Sequence, residues 1–226
     1  MPDVQEAIQA MLKGLQAPRT KRPRVQAQRT ICISRDEGSG GDRLARQLAE
    51  RLGLALYDRA IIDRIAERLG GDPATLRAID SSSADLRDLW IYSLVTGQSV
   101  DADEYRRQLV NLVLSLGRCG GVILGRGAHL ILARSGALRV RVVGSPEPCA
   151  RRIAEAEGLN LDIAARRVEE VNRRRNHFVK EHFHVGLDDA RTFDLVINTD
   201  QMNDFARLEN MLVDAATMAE AAAAQH

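Results

Sequence analysis

Residues 29–52 read Arg-Thr-Ile-Cys-Ile-Ser-Arg-Asp-Glu-Gly-Ser-Gly-Gly-Asp-Arg-Leu-Ala-Arg-Gln-Leu-Ala-Glu-Arg-Leu. Thr30, Ile31, Cys32 and Ile33 form a short β-branched run suited to a buried strand, and Gly38, Gly40 and Gly41 then allow a tight turn. Leu44, Ala45, Leu48 and Leu52 recur at helical spacing, so a helix follows at once. Strand, glycine loop and helix in that order make an anion cradle. Without side chains in the way, successive main-chain N–H groups converge on phosphate oxygens, and the positive end of the helix dipole reinforces them.

The pattern departs from the standard phosphate-loop signature. With Gly40 taken as the last loop glycine, Arg35 stands in place of the first glycine, Gly41 in place of the lysine, and Asp42 in place of the Ser or Thr that holds magnesium. A plain flexible turn is the other reading of Gly38-Ser39-Gly40-Gly41, and this stretch alone leaves both open.

The rest of the chain gives this motif its setting. With 226 residues, 45% hydrophobic and 28% charged, it can bury one sizeable core. A net charge of +1 gives no general case for a nucleic-acid or membrane partner. Cys32, Cys119 and Cys149 have no paired spacing, and no leader or long apolar span is evident, which fits a reducing cytoplasm. Residues 1–28 read as an amphipathic helix (Val4, Ala7, Ile8, Met11, Leu12, Leu15) and an exposed basic linker leading to Arg29. Residues 29–222 read as one domain.

Within that domain a second strand over 54–57 ends at Tyr57-Asp58-Arg59, before a helix over 60–69. Asp58 reads equally as a helix N-cap and, with Arg59, as an acceptor-binding residue at a strand's carboxyl end. Residues 72–118 read as a helical insertion, with Leu86, Leu89, Trp90 and Leu94 on one stripe and Leu109, Leu112, Val113 and Leu116 on another. It forms a substrate cap or a surface for a homo-oligomer. A third strand over 121–124 runs into Gly125-Arg126-Gly127, which aims Arg126 at the same edge as the glycine loop. A fourth strand over 138–143 and a helix opening at Ser145-Pro146 follow.

Residues 160–190 are arginine-rich, with Arg166, Arg167, Arg173, Arg174, Arg175 and Lys180 interleaved with Phe178 and Phe183. They read as a basic hairpin folding over bound phosphates. The spacing of His177, His182 and His184 does not suit a zinc site, and no metal-binding residue is assigned. A fifth strand over 193–198 and a helix with an alanine-rich tail that should fray close the chain. The sum is an α/β fold, a five-stranded parallel sheet with helices on both faces in the manner of P-loop NTPases, and a helical lid.

Residues 31–41, Tyr57-Asp58-Arg59, Gly125-Arg126-Gly127-Ala128, Asn172-Arg173-Arg174-Arg175 with Phe178 and Lys180, and the run from Phe193 to Thr199 together resemble the cytidylate kinase-like family. The resemblance runs from about Arg29 to the C-terminal helix. It implies transfer of the ATP γ-phosphoryl group, with Mg2+, to a small acceptor such as the nucleoside monophosphate CMP. It also implies that Gly38, Ser39, Gly40, Gly41, Asp42 and Arg43 form the phosphate loop. Arg126 then holds the acceptor phosphate together with Tyr57, Asp58 and Arg59, and Arg175 is a lid arginine reaching the transferring group. Arg167 lies near but out of register with an earlier lid arginine, and Arg173 and Lys180 complete the lid.

Three departures from the family pattern bear on magnesium and on rate: Asn172 for an aspartate, Gly41 for the lysine, and Ser34 for the aspartate ending the first strand. Arg35 or Arg43 is expected to supply the missing positive charge. A nucleotide-binding regulator without turnover is the alternative in another class, and an RNA-binding protein a third, separable by salt dependence.

Overall fold

The computed structural model describes residues 29–60, 62 and 102–223. The expected N-terminal amphipathic helix, the helix over 60–69 beyond residue 62, and the Trp90 stripe lie outside the described residues.

Five parallel strands form one sheet: β1 (Thr30–Arg35), β2 (Leu56–Tyr57), β3 (Gly121–Leu124), β4 (Leu138–Val143) and β5 (Leu195–Asn198), in the order β2-β3-β1-β4-β5. Cys32 of β1 is in register with Ile123 of β3 on one side and Arg139 of β4 on the other. Because every strand is parallel, their carboxyl ends share one edge. The chain leaves β1 on one side and β4 on the other, so the crevice beside β1 is the topological switch point where ligands bind in such sheets.

The helices among the described residues are α1 (Gly41–Leu52), α2 (Ala102–Cys119), α3 (Ala128–Ile131), α4 (Pro146–Glu157), α5 (Leu161–Phe183) and α6 (Phe205–Ala223). Alternation along β1 divides the core. Ile31 and Ile33 pack with Leu44 and Leu48 of α1 and Leu208 and Leu212 of α6, while Cys32 packs with Leu112, Val113 and Leu116 of α2 on the opposite face. Each such side chain taken fully out of water contributes about 1.5–3 kcal/mol. The start of β1 is tied down by Arg29, whose guanidinium meets Glu220 of α6 at 2.6 Å.

β3 and β4 keep the bounds read from the sequence, whereas β2 and β5 are shorter, β5 following a 3-10 turn over Ala190–Thr192. The basic segment is a single helix rather than a hairpin. Asn160 caps α5 by accepting the Asp162 N–H at 2.8 Å, and no glycine or proline interrupts the next 23 residues. The hairpin is instead made by α4 and α5, which meet at Gly158 with φ +65°. The alanine-rich tail stays helical to Ala223. Among the described residues no helix is long and apolar enough to cross a membrane.

One buried group makes stability depend on pH. His129 of α3 is 2% exposed and stacks on Phe193 with ring centroids 4.4 Å apart; its Nε2 has no hydrogen-bond partner among the described residues. Burial, then the charges of Arg141 and Arg139, push its pKa down to about 4. The unfolded chain therefore takes up this proton first as pH falls. The contribution is intact above about 6.5 and drains away between there and 4, by up to about 3 kcal/mol. Urea midpoints at pH 7.5 and pH 5 should accordingly differ more in the native protein than in a His129→Phe variant. Equal differences would assign the pH dependence to other groups.

Candidate active site

The glycine loop between β1 and α1 is fastened by its oxygens. The Ser39 hydroxyl donates to the Asp36 carbonyl at 2.8 Å, and Thr199, just past β5, donates to the Ser39 carbonyl at 3.0 Å. The Gly38 carbonyl accepts from Arg152 of α4 at 3.0 Å, and the same guanidinium reaches the Thr199 carbonyl at 2.6 Å. Arg175 of α5 donates to the Arg35 carbonyl at 3.2 Å.

The amides are differently placed. Asp36 and Glu37 spend theirs on the Val142 carbonyl and the Asn172 side-chain oxygen, at 2.9 and 2.8 Å. Beyond Glu37, the amide partners among the described residues are two long contacts: Ser39 N–H to the Asp36 carbonyl at 3.3 Å and Gly41 N–H to Ser39 Oγ at 3.4 Å. Leu44 then begins the helical pattern. Gly40 caps α1 in the left-handed conformation, φ +81°, without a side-chain hydrogen bond. A loop with committed carbonyls and an uncapped helix start presents N–H groups to an anion.

Arg35, last residue of β1, lies across the first turn of α1. Its Nη2 is 2.8 Å from Asp42 Oδ1, and its Nε is 3.2 Å from both carboxylate oxygens. Burial alone would raise the Asp42 carboxyl. The Arg35 hydrogen bonds and charge, with Arg175 and Arg46 adding, outweigh it and hold Asp42 below the usual carboxylate range. A Cβ built at Gly41 would lie 2.5 Å from Arg35 Cβ, so Arg35 occupies the space that a side chain at position 41 would need.

Arg43 points elsewhere. Its guanidinium sits 4.9 Å from the centre of the Phe205 ring of α6. A cleft of about 490 Å³ opens beside Arg35 instead, lined by Asp42, Arg46, Asp58, Arg59 and the apolar Leu56 and Leu124. Asp58 both borders this cleft and accepts the Ile62 N–H on its carbonyl at 3.0 Å, the N-cap arrangement.

Tyr57 is core. It is 1% exposed among α2 side chains, with its hydroxyl pushed up to about 12 by burial. Arg126, at φ +55° after β3, lies 5.1 Å from the centre of the Phe178 ring of α5. Glu37 gathers two arginines of α5, Arg167 at 2.9 Å and Arg175 at 2.8 Å. Burial and then the charge of Arg35 lower the Arg175 guanidinium, with Glu37 and Asp42 working the other way. Arg173 and Lys180 lie on the exposed face of α5.

Sequence reasoning missed three fastenings. Arg152 and Thr199 carry no local signal of their bonds to the loop. Arg141 does carry one: an arginine inside β4, which is paired on both sides, has no open water to face and needs an acid. It has one in Asp36, 2.5 Å away.

A parallel sheet with an amide-presenting loop at its switch point, overlooked by arginines from β1 and α5, defines an α/β protein with a nucleotide kinase-like fold. The chain belongs to the cytidylate kinase-like family, whose model matches residues 30–201. It is similar to the cytidylate kinase of Pyrobaculum aerophilum, 28% identical over 185 residues, covering 79% of this chain and 89% of that one. It is also similar to the cytidylate kinase of Methanopyrus kandleri, 25% identical over 178 residues, covering 77% and 86%. Among solved structures, an uncharacterized protein from Eubacterium ventriosum superposes with a TM-score of 0.62 at 21% identity, covering 84% of this chain and 99% of that one.

Proposed function

We propose that this protein transfers the γ-phosphoryl group of ATP to a small acceptor, a nucleoside monophosphate such as CMP. The observation that carries this is the glycine loop, whose carbonyls accept from Arg152, Arg175 and Thr199 while its amides beyond Glu37 hold only two long contacts. Support comes from the family and from relatives named cytidylate kinase.

In this reading the triphosphate lies on residues 38–43, and an acceptor phosphate oxygen in the Arg46, Asp58 and Arg59 cleft attacks the γ-phosphorus as its bond to the bridging oxygen of ADP breaks. Such a transition state asks the protein for positioning and for charge on the oxygens in flight. Arg35 stands at the helix start, where the lysine of the ordinary loop would act. Arg126 and Arg175 approach from β3 and α5.

Magnesium would be held mostly by the nucleotide's phosphate oxygens and by water, and would offset negative charge on the phosphates. The loop carboxylates Asp36, Glu37 and Asp42 are each bonded to arginine, and Ser39 is fully buried with its hydroxyl on Asp36. These residues do not make a direct metal site, and no step is assigned to them through the metal.

The test is ADP formation from ATP and magnesium with a panel of nucleoside monophosphates. One acceptor, with CMP first in line, is expected to raise the rate well above background. ATP binding without turnover on any acceptor would make the protein a regulator instead.

A further inference from the structure

Arg167 and Arg175 are eight residues apart on α5, on one face of the helix, and both guanidiniums close on one carboxylate. Glu37 Oε1 accepts from Arg167 Nε at 3.1 Å and Nη2 at 2.9 Å, while Oε2 accepts from Arg175 Nη2 at 2.8 Å. The Glu37 side chain is only 13% exposed. Two planar forks converging on paired oxygens is the geometry by which arginines hold phosphate. Here a loop residue, 130 positions away from Arg167 in sequence, fills the role.

We propose that Glu37 is an internal stand-in for phosphate, which occupies the lid arginines in the nucleotide-free protein and must give them up when a polyphosphate binds. The proposal rests on the reading of residues 38–43 as a phosphate loop and adds the competitor built into it.

The contact has the parts such an exchange needs. The Glu37 main chain is held separately, its N–H on Asn172 Oδ1 at 2.8 Å, so the carboxylate can swing away while α5 stays docked on the loop. Asn172 is neutral, and an aspartate there would set a second negative charge against Glu37. Arg167 keeps a second partner, Glu157 Oε2 at 2.6 Å, and is not stranded when Glu37 leaves. A terminal phosphate carries more charge than a carboxylate and three oxygens instead of two, so it outcompetes Glu37 at a cost in affinity.

Calorimetric titration with inorganic tripolyphosphate isolates this competition, since no base contributes. Glu37→Gln should bind roughly tenfold tighter than the native protein, because its neutral amide holds the two guanidiniums far more weakly. Glu37→Asp keeps the charge but is one methylene short of bridging both arginines, and should fall between the two. Glu170→Gln removes a charge from the exposed face of the same helix and should match the native protein within about twofold.

If Glu37→Gln destabilises the protein too far to titrate, Glu37→Asp carries the test alone. Native protein that binds tripolyphosphate together with Glu37 variants that bind equally or more weakly overturns the proposal and leaves the loop reading standing. No binding by native protein overturns both.

Discussion

Replacing Arg35 with alanine should lower turnover by about 10²–10³-fold, the scale on which removing one preorganised electrostatic group from a transition state is felt. The same change at Arg43 should leave turnover within about twofold of native. Both residues flank the loop, and sequence alone leaves the choice between them open. Their positions favour Arg35 for the proposed role, because Arg43 lies against the Phe205 ring while Arg35 borders the cleft. Arg35 also neutralises Asp42, so its removal leaves a carboxylate facing the phosphates from the helix start, which pushes the effect toward the upper end of the range. Arg35→Lys returns charge without the fork and should recover part of the rate. The measurement is ADP formation with the acceptor that the native protein uses. Equal rates in native protein and Arg35→Ala would remove Arg35 from the reaction.

The fold was legible where local chemistry decides it. β3 and β4 are short apolar or alternating runs, and they emerge with the bounds the sequence indicates because nothing tertiary competes with those signals. The site was legible only by halves. Glycines announce the loop, but what fastens it lies far along the chain: Thr199 is 160 residues from Ser39, and Arg152 is 114 from Gly38. Charge counting misled in one respect. The surplus of arginines over 160–190 reads as a hairpin folding over bound phosphates, yet Arg167 and Arg175 are already paired with Glu37, an acid that sequence reasoning passed over as part of the turn. Asn172 reads as a loss of function against the family pattern and turns out to be a hydrogen-bond acceptor for the loop itself.

Restoring the missing lysine should harm this protein. Gly41→Lys would place a Cβ 2.5 Å from Arg35 Cβ, 3.0 Å from Arg35 Cγ and 3.2 Å from Val142 Cβ, and the first of these cannot be relieved by rotating a side-chain end. The backbone at Gly41 is ordinary helix, so the obstacle is volume and not conformation. Overpacking of this kind costs about 1–3 kcal/mol, and the shift it forces displaces both Arg35 and the first turn of α1, the two parts that hold phosphate in the proposed reaction. Turnover should fall at least as far as in Arg35→Ala, with a lower urea midpoint.

The lysine and the arginine are thus alternatives for one space, which makes a second change informative. Arg35→Gly combined with Gly41→Lys re-creates the ordinary spacing, a glycine, four residues, glycine and lysine, and clears the two closest of the three contacts. The double variant should turn over at least about tenfold faster than Gly41→Lys alone, a coupling of the size seen between residues in direct contact. Strictly additive losses would mean that Arg35 and position 41 do not share a role, and that the arginine at the end of β1 answers to some need other than the charge of the absent lysine.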